Sequence, residues 1–275
     1  MVVIMNVLII NLPRSKDRRE FQEKQFKDLN IKPIILNAVS TDDISEHQFE
    51  KEAFGWQRPL KKVELACFLS HKKAWEYVIN YNKPMLIIED DAVVVRDLKI
   101  LLQELELNTK SFHPDLINLE VRSRKKIIGK EPVCEFEDLQ YKLLPLYQER
   151  TGTGGYILFP TGAKKLLEKS KNIPAATADA FIFSTYELNT YQIEPAALVQ
   201  EDQMIAYGLA NKESFESTIG RSEHFKPEFN SINEKIKFKK RRLVGQITMA
   251  IRYLQVMGKA EKRLINLDQK RFIQD

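Results

Sequence analysis

Between Val2 and Val39, two short apolar runs enclose one segment of helical spacing, and this alternation limits the fold more than any other feature of the chain. Val2 to Leu12 is a continuous apolar run closed by Pro13, the pattern of a buried strand. From Arg14 to Leu29, the side chains of Phe21, Gln25/Phe26 and Leu29 recur on one helical face, and Pro33 to Val39 reads as a second strand. A β-α-β opening favours a parallel sheet with helical crossovers. The first run has no basic leader and no small-residue cleavage site, so it is expected to be a strand and not a signal peptide. No apolar run approaches the roughly 20 residues that a membrane-spanning helix needs.

The alternation continues. Residues 40–62 are polar, with Gly55 and Pro59, and are expected to form a loop. A helix carrying Ala66, Leu69, Ala74, Trp75 and Val78 leads to a short strand, Met85 to Ile88, which runs straight into Glu89, Asp90 and Asp91. Ala92 to Val95 stays apolar, a helix follows at Leu98 to Leu107, and Leu116 to Leu119 is a strand ending at Glu120. Residues 121–138 are charged and patternless. Tyr141 to Leu146 reads as a strand, Gly152 to Gly155 as a loop before a strand at Tyr156 to Phe159, and Thr161 to Lys169 as a helix. Ile193 to Val199 is the last strand expected, and from Asn233 the chain reads as helical.

Three acids directly after an apolar strand need a physical account. Buried charge is costly unless a cation or a hydrogen-bond donor pairs with it. In α/β sheets, ligands gather beyond the carboxyl ends of strands. A hard cation such as Mg²⁺ or Mn²⁺ takes oxygen ligands, often one or two carboxylates together with substrate phosphates. Side chains alternate along an extended segment, so Glu89 and Asp91 are expected to share one face. On these residues alone, a solvated acidic loop remains an equal reading. Four histidines without metal-ligand spacing and two cysteines, Cys67 and Cys134, supply neither a histidine-built metal site nor a disulfide framework, and cytosolic residence is the natural reading.

The surroundings add a resemblance. VELACFLSHKKAW at 63–75 followed by PMLIIEDDA at 84–92 resembles glycosyltransferase family 25, enzymes that build bacterial lipooligosaccharide and relatives that modify collagen. INLPRSKDRR at 10–19, TGTGGYILFPTGAKKLL at 151–167, ADAF at 178–181, EPAALVQE at 194–201 and STIG at 217–220 resemble further family segments in the same order. The family often has a Gly-Glu pair before the cysteine, where this chain has Val63 and Glu64. The resemblance implies an α/β, GT-A-like nucleotide-binding sheet flanked by helices over residues 1–229. It implies an inverting transfer of galactose or glucose from a UDP-sugar to a lipid-linked lipooligosaccharide acceptor, assisted by Mn²⁺ or Mg²⁺.

Residue roles follow on that basis. Asp91 is expected to hold the metal, with Glu89 as ribose, water or metal contact and Asp90 orienting its neighbours. Asp179 is the candidate general base, since a base must reach the acceptor hydroxyl; a helix N-cap is the alternative, and Glu201 and Asp202 are the competitors. Glu120 could face sugar hydroxyls or form a salt bridge at the sheet edge. Arg14 and Arg18 follow the first strand and could meet the nucleotide phosphates, while Asn11 and Ala38 are strand-end positions that could admit the base. His71 could contact phosphate or a carboxylate, or be a satisfied structural histidine, and Cys67 reads most simply as a small buried residue. Gly154 and Gly155, with Gly152, could let backbone approach a sugar closely or simply form a loop. His224 is a candidate third metal ligand.

Net charge is +5, but residues 230–275 carry twelve Lys/Arg against four Asp/Glu, leaving the rest slightly acidic. Within this basic helical extension, Leu243, Ile247, Ile251, Leu254 and Met257 recur at helical spacing. It could lie on the anionic cytoplasmic face of an inner membrane, form a homodimer contact, or be a solvated terminal helix. No aromatic-interleaved basic stripe or nucleic-acid motif is present, which argues against a nucleic-acid partner. A metal-dependent nucleotidyltransferase or phosphohydrolase also places acids after a strand and is the alternative enzyme class.

Overall fold

A computed structural model describes residues 5–149, 151–209 and 231–272. The chain runs β1 (Asn6–Asn11), α1 (Lys16–Asp28), β2 (Ile34–Asn37), α2 (Glu46–Glu52), α3 (Lys62–Tyr81), β3 (Met85–Glu89), β4 (Ala92–Val94), α4 (Leu98–Asn108), β5 (Leu116–Asn118), β6 (Glu120–Val121), β7 (Lys126–Gly129) and β8 (Cys134–Phe136). It continues through β9 (Tyr141–Gln148), β10 (Gly155–Leu158), α5 (Pro160–Asn172), α6 (Ala178–Phe183), β11 (Thr190–Glu194), β12 (Leu198–Gln200), α7 (Ile232–Val256) and β13 (Ala260–Arg263).

The main sheet has the order β13-β7-β9-β11-β5-β10-β3-β1-β2, with β8 paired to β9. β2, β1 and β3 are parallel, as the opening β-α-β pattern requires, and β10 enters antiparallel between β3 and β5. This is a mixed α/β sheet flanked by helices, consistent with a GT-A-like fold. Its centre is dry: Val7, Leu8, Ile9, Leu86, Ile87 and Ile88 are fully buried. Cutting one such aliphatic side chain back to alanine typically costs about 2–5 kcal/mol. α3 ends at Asn82, whose left-handed φ of 51° turns the chain, and Pro84 then leads into β3. α3 packs against β1, α5 and α6 and so lines one side of the carboxyl ends of the central strands.

A second, three-stranded sheet, β4-β12-β6, stands beyond those ends. It explains one departure from the sequence reading. The apolar stretch 193–199 is two strands, not one: β11 belongs to the main sheet and β12 to the small one. Pro195 lies between them, where it has no N–H to offer a ladder. Residues 40–62 are likewise more than a loop. Ser45 Oγ accepts the Gln48 N–H at 3.1 Å and starts α2, the Ser-x-x-Gln spacing of a helix start. Residues 121–138, patternless in sequence, hold the end of β6 and all of β7 and β8. Their pattern is hidden because β7 begins with a lysine, Lys126, that is only 1% exposed.

The basic extension is a helix that then returns to the sheet. After α7, β13 pairs antiparallel with β7, and Phe272 bridges Val95.

Candidate active site

The strand ends gather the acids. Asn11 closes β1 and Glu89 closes β3; these strands are parallel neighbours, so their carboxyl ends open on the same edge. Beyond β3 the chain turns through Asp90 and Asp91 before entering β4. Two buried glutamines of α1 hold that turn. Gln22 Nε2 donates to the carbonyls of Asp90 and Ala92, and Gln25 donates to Ala92 and accepts the Val94 N–H.

The three carboxylates divide as strand alternation predicts. Asp90 points back to the first β-α unit, accepting from Asn11 Nδ2 at 2.8 Å and Arg18 at 2.9 Å. Glu89 and Asp91 point the other way and share one donor: Gln200 Nε2 is 3.1 Å from Glu89 Oε2 and 3.2 Å from Asp91 Oδ1. Gln200 is aimed by Arg122, which also pairs with Asp202 at 2.6 Å. Neither Gln200 nor Arg122 was expected from sequence; each comes from a segment remote from the acidic triplet.

The Glu89 side is extended by α3. Its oxygen Oε1 meets His71 Nε2 at 3.2 Å and Thr153 Oγ1 at 3.1 Å. His71 Nδ1 is 2.9 Å from the Tyr156 hydroxyl, which accepts from Trp75 Nε1 at 3.0 Å. An indole N–H only donates and a carboxylate only accepts. The chain of bonds is therefore consistent when Tyr156 donates to Nδ1 and His71 donates from Nε2 to Glu89. His71 is fully buried and engaged at both nitrogens, so it positions Glu89.

Charge in this cleft is undercompensated. Burial opposes ionisation of Glu89, but hydrogen bonds from His71 and Thr153 hold its carboxyl below its usual range. Burial, and then the charge of Glu89, push Asp91 up to about 7. Two carboxylate oxygens sharing one neutral amide, with excess negative charge between them, form an oxygen donor set that fits a hard divalent cation. Cys67 Sγ, His71 and Glu89 also offer ligand atoms that lie within 4.8 Å of one another, a softer donor set on the α3 side.

Glu120 is fully buried and forms an ion pair with Arg122, 3.7 Å from its Oε1. Its Oε2 accepts the Gly154 N–H at 2.7 Å, while the Gly154 carbonyl accepts the Glu89 N–H at 3.0 Å. The glycines make room for protein groups. Gly152 has φ of 109°, and a Cβ there would stand 3.0 Å from Glu120 Oε2; one on Gly154 would stand 2.5 Å from Gln200 Cγ. The glycine loop thus lets Glu120 and Gln200 approach the backbone beside Glu89.

Asp179 lies in the first turn of α6, but it is not the N-cap, which is Thr177; its Oδ1 accepts the Ala180 N–H. Its charge reaches the same cleft from the α3 side. Burial raises the Cys67 thiol most, followed by Glu89, Asp179, Asp91 and Glu64. Glu64 holds Arg58 in a two-pronged pair at 2.6 and 2.8 Å. Glu201 is on the other side: its N–H donates to the Asp91 carbonyl, and its charge acts on Arg18. The Ala38 N–H donates to the Asn11 carbonyl, and Ser70 Oγ accepts the Val39 N–H, fixing the exit of β2. Arg14 is exposed and pairs with Asp42 at 3.8 Å. His224 lies outside the described residues.

Residues 4–182 match the family described as Glycosyltransferase family 25 (LPS biosynthesis protein). The chain is 29% identical over 156 residues to a Neisseria meningitidis lacto-N-neotetraose biosynthesis glycosyltransferase, covering 53% of this chain and 55% of that protein. It is 25% identical over 276 residues to a Haemophilus influenzae lipooligosaccharide biosynthesis protein, covering 83% and 89%. It is also 30% identical over 200 residues to procollagen galactosyltransferase 1 of Danio rerio, covering 68% of this chain and 32% of that protein.

Proposed function

Because the chain belongs to glycosyltransferase family 25, we propose that it transfers galactose or glucose from a UDP-sugar to a lipid-linked saccharide of lipooligosaccharide, with inversion at the anomeric carbon. Its place of work would be the cytoplasmic face of an inner membrane. The observation that carries the reading is the convergence of Glu89 and Asp91 on one Gln200 amide, at the carboxyl edge of a parallel β-α-β unit. That is where nucleotides bind in open α/β sheets. The relatives named for lipooligosaccharide synthesis and for galactosyl transfer support the acceptor class and the sugar.

The geometry supports the following residue roles. Asp91 and Glu89 would hold a divalent cation, which when bound offsets charge on the departing diphosphate. Asp90 locks Arg18 and Asn11 at the nucleotide end, so Arg18 presents its charge where the diphosphate would lie. Asp179 takes the proton of the acceptor hydroxyl as that oxygen bonds to the anomeric carbon and the bond to the diphosphate oxygen breaks. Glu120, fully buried beneath Gly154, holds the glycine loop beside Glu89 and does not itself reach a sugar.

Two variants separate these roles. Asp91→Asn should abolish Mn²⁺-dependent binding of UDP-sugars in a calorimetric titration. Asp179→Asn should bind donor as the parent does and lose transfer. Equal donor binding with and without metal in both parent and Asp91→Asn would refute the metal assignment. Full transfer by Asp179→Asn would move the base to Glu201. Release of pyrophosphate instead of a nucleoside diphosphate would point to a nucleotidyltransferase.

A further inference from the structure

The helix α7 is built inside out. At 3.6 residues per turn, Ile232, Ile236, Leu243, Ile247, Ile251 and Leu254 fall within about 100° of arc. An apolar stripe of this kind ordinarily faces a core. Here all six are exposed, at 49–78% of their surface. The opposite face holds the helix to the body. Phe238 and Val256 are buried there, Arg241 donates to the carbonyls of Phe54 and Trp56, Gln148 donates to the Met249 carbonyl, and Arg252 stands over Tyr147 and Tyr186. The helix is thus fixed in orientation, with its aliphatic side turned away from the protein.

Charge surrounds that stripe. Lys237 and Lys239 border it on either side, Lys240 lies within it, and Lys235 and Arg242 are exposed close by. The only acid of α7 is Glu234, in its first turn. No helix among the described residues is long and apolar enough to cross a membrane, so α7 can lie on a bilayer but not span it.

We propose that α7 lies in the plane of an anionic lipid surface, its aliphatic stripe sunk among the acyl chains and its lysines on the headgroups. An aliphatic face bordered by lysines, on a helix about 37 Å long, is the chemistry that such surfaces bind. A second copy of the chain fits the stripe poorly. Parallel pairing would set lysine against lysine, and antiparallel pairing would cover lysines with aliphatic side chains, because the single acid of the partner's α7, Glu234, lies on the opposite face from the stripe. The placement also bears on the reaction, a point that rests on the proposed transfer. Trp56, whose carbonyl α7 holds, packs on Phe181 of α6, the helix that carries Asp179. A bilayer on α7 therefore lies beside the acceptor side of the cleft, where a lipid-linked saccharide would arrive.

The test is co-sedimentation of the full chain with phosphatidylcholine vesicles, with and without phosphatidylglycerol, in the absence of donor and acceptor. Binding should require the anionic lipid and weaken as salt is raised. The pair Lys237→Gln/Lys239→Gln should lower the partition coefficient about 25-fold, from about fivefold for each charge. Ile247→Ser/Leu254→Ser should lower it by about tenfold for each side chain, with unchanged circular dichroism because neither residue is buried. Equal partition into neutral vesicles, or none into anionic ones, overturns the proposal. So does a stable solution dimer that the Ile247→Ser/Leu254→Ser pair converts to monomer, since the stripe would then be the contact between two copies. Vesicle binding is read without sugar chemistry, so failure of the transfer reading leaves this outcome intact.

Discussion

Replacing Glu120 by glutamine should stabilise the protein at alkaline pH. Glu120 is fully buried, with one oxygen on the Gly154 N–H and the other, Oε1, without a hydrogen-bond partner. Burial raises its carboxyl from an ordinary 4.5 to about 8, against the pull of Arg122 and Lys126. In the unfolded chain the group loses its proton near pH 4.5; in the folded protein it keeps it to about pH 8. Between those values the folded state binds more protons, so stability falls as pH rises. At about 1.36 kcal/mol per pH unit, the full loss above pH 8 is on the order of 5 kcal/mol. Glutamine has nearly the same shape and never ionises, and its carbonyl can still accept from Gly154. Urea unfolding of parent and Glu120→Gln should therefore coincide near pH 4.5 and diverge steadily up to pH 8, with the variant the more stable. A parent-to-variant difference that does not change with pH would refute the reasoning, because it would mean Glu120 ionises alike in both states.

Two further outcomes test the surroundings of the site. Lys126 and Glu149 form an ion pair at 2.5 Å with side chains 1% and 2% exposed, so Lys126→Met should cost about 3–5 kcal/mol in denaturant melts by removing one charge of a buried pair; adding Glu149→Gln should recover much of it. Titration with Co²⁺ should give a thiolate-to-metal absorption band if Cys67, His71 and Glu89 can close on one ion, and Cys67→Ser should remove the band while leaving Mn²⁺-dependent donor binding in place.

The legible parts were those that local periodicity writes. The β-α-β opening, the strand Met85–Glu89 and the split of Asp90 from Glu89 and Asp91 all follow from side-chain alternation within a few residues. The helical spacing of the basic extension was readable too, and so was its mixture of lysines and aliphatics. Tertiary structure decided what meets what. Gln200, Arg122 and Gln22 hold the acids from sequence positions that no local pattern singles out. Lys126 sits in a buried strand because Glu149 and Gln192 reach it from elsewhere. The stretch at 193–199, which reads as one strand, divides between two sheets at Pro195. And α7 turns its aliphatic stripe outward because Phe238, Met249, Arg252 and Val256 bind the body more specifically than that stripe does. Periodicity fixes which residues share a face, since that is set by backbone geometry; which face is buried depends on the partners that long-range packing brings.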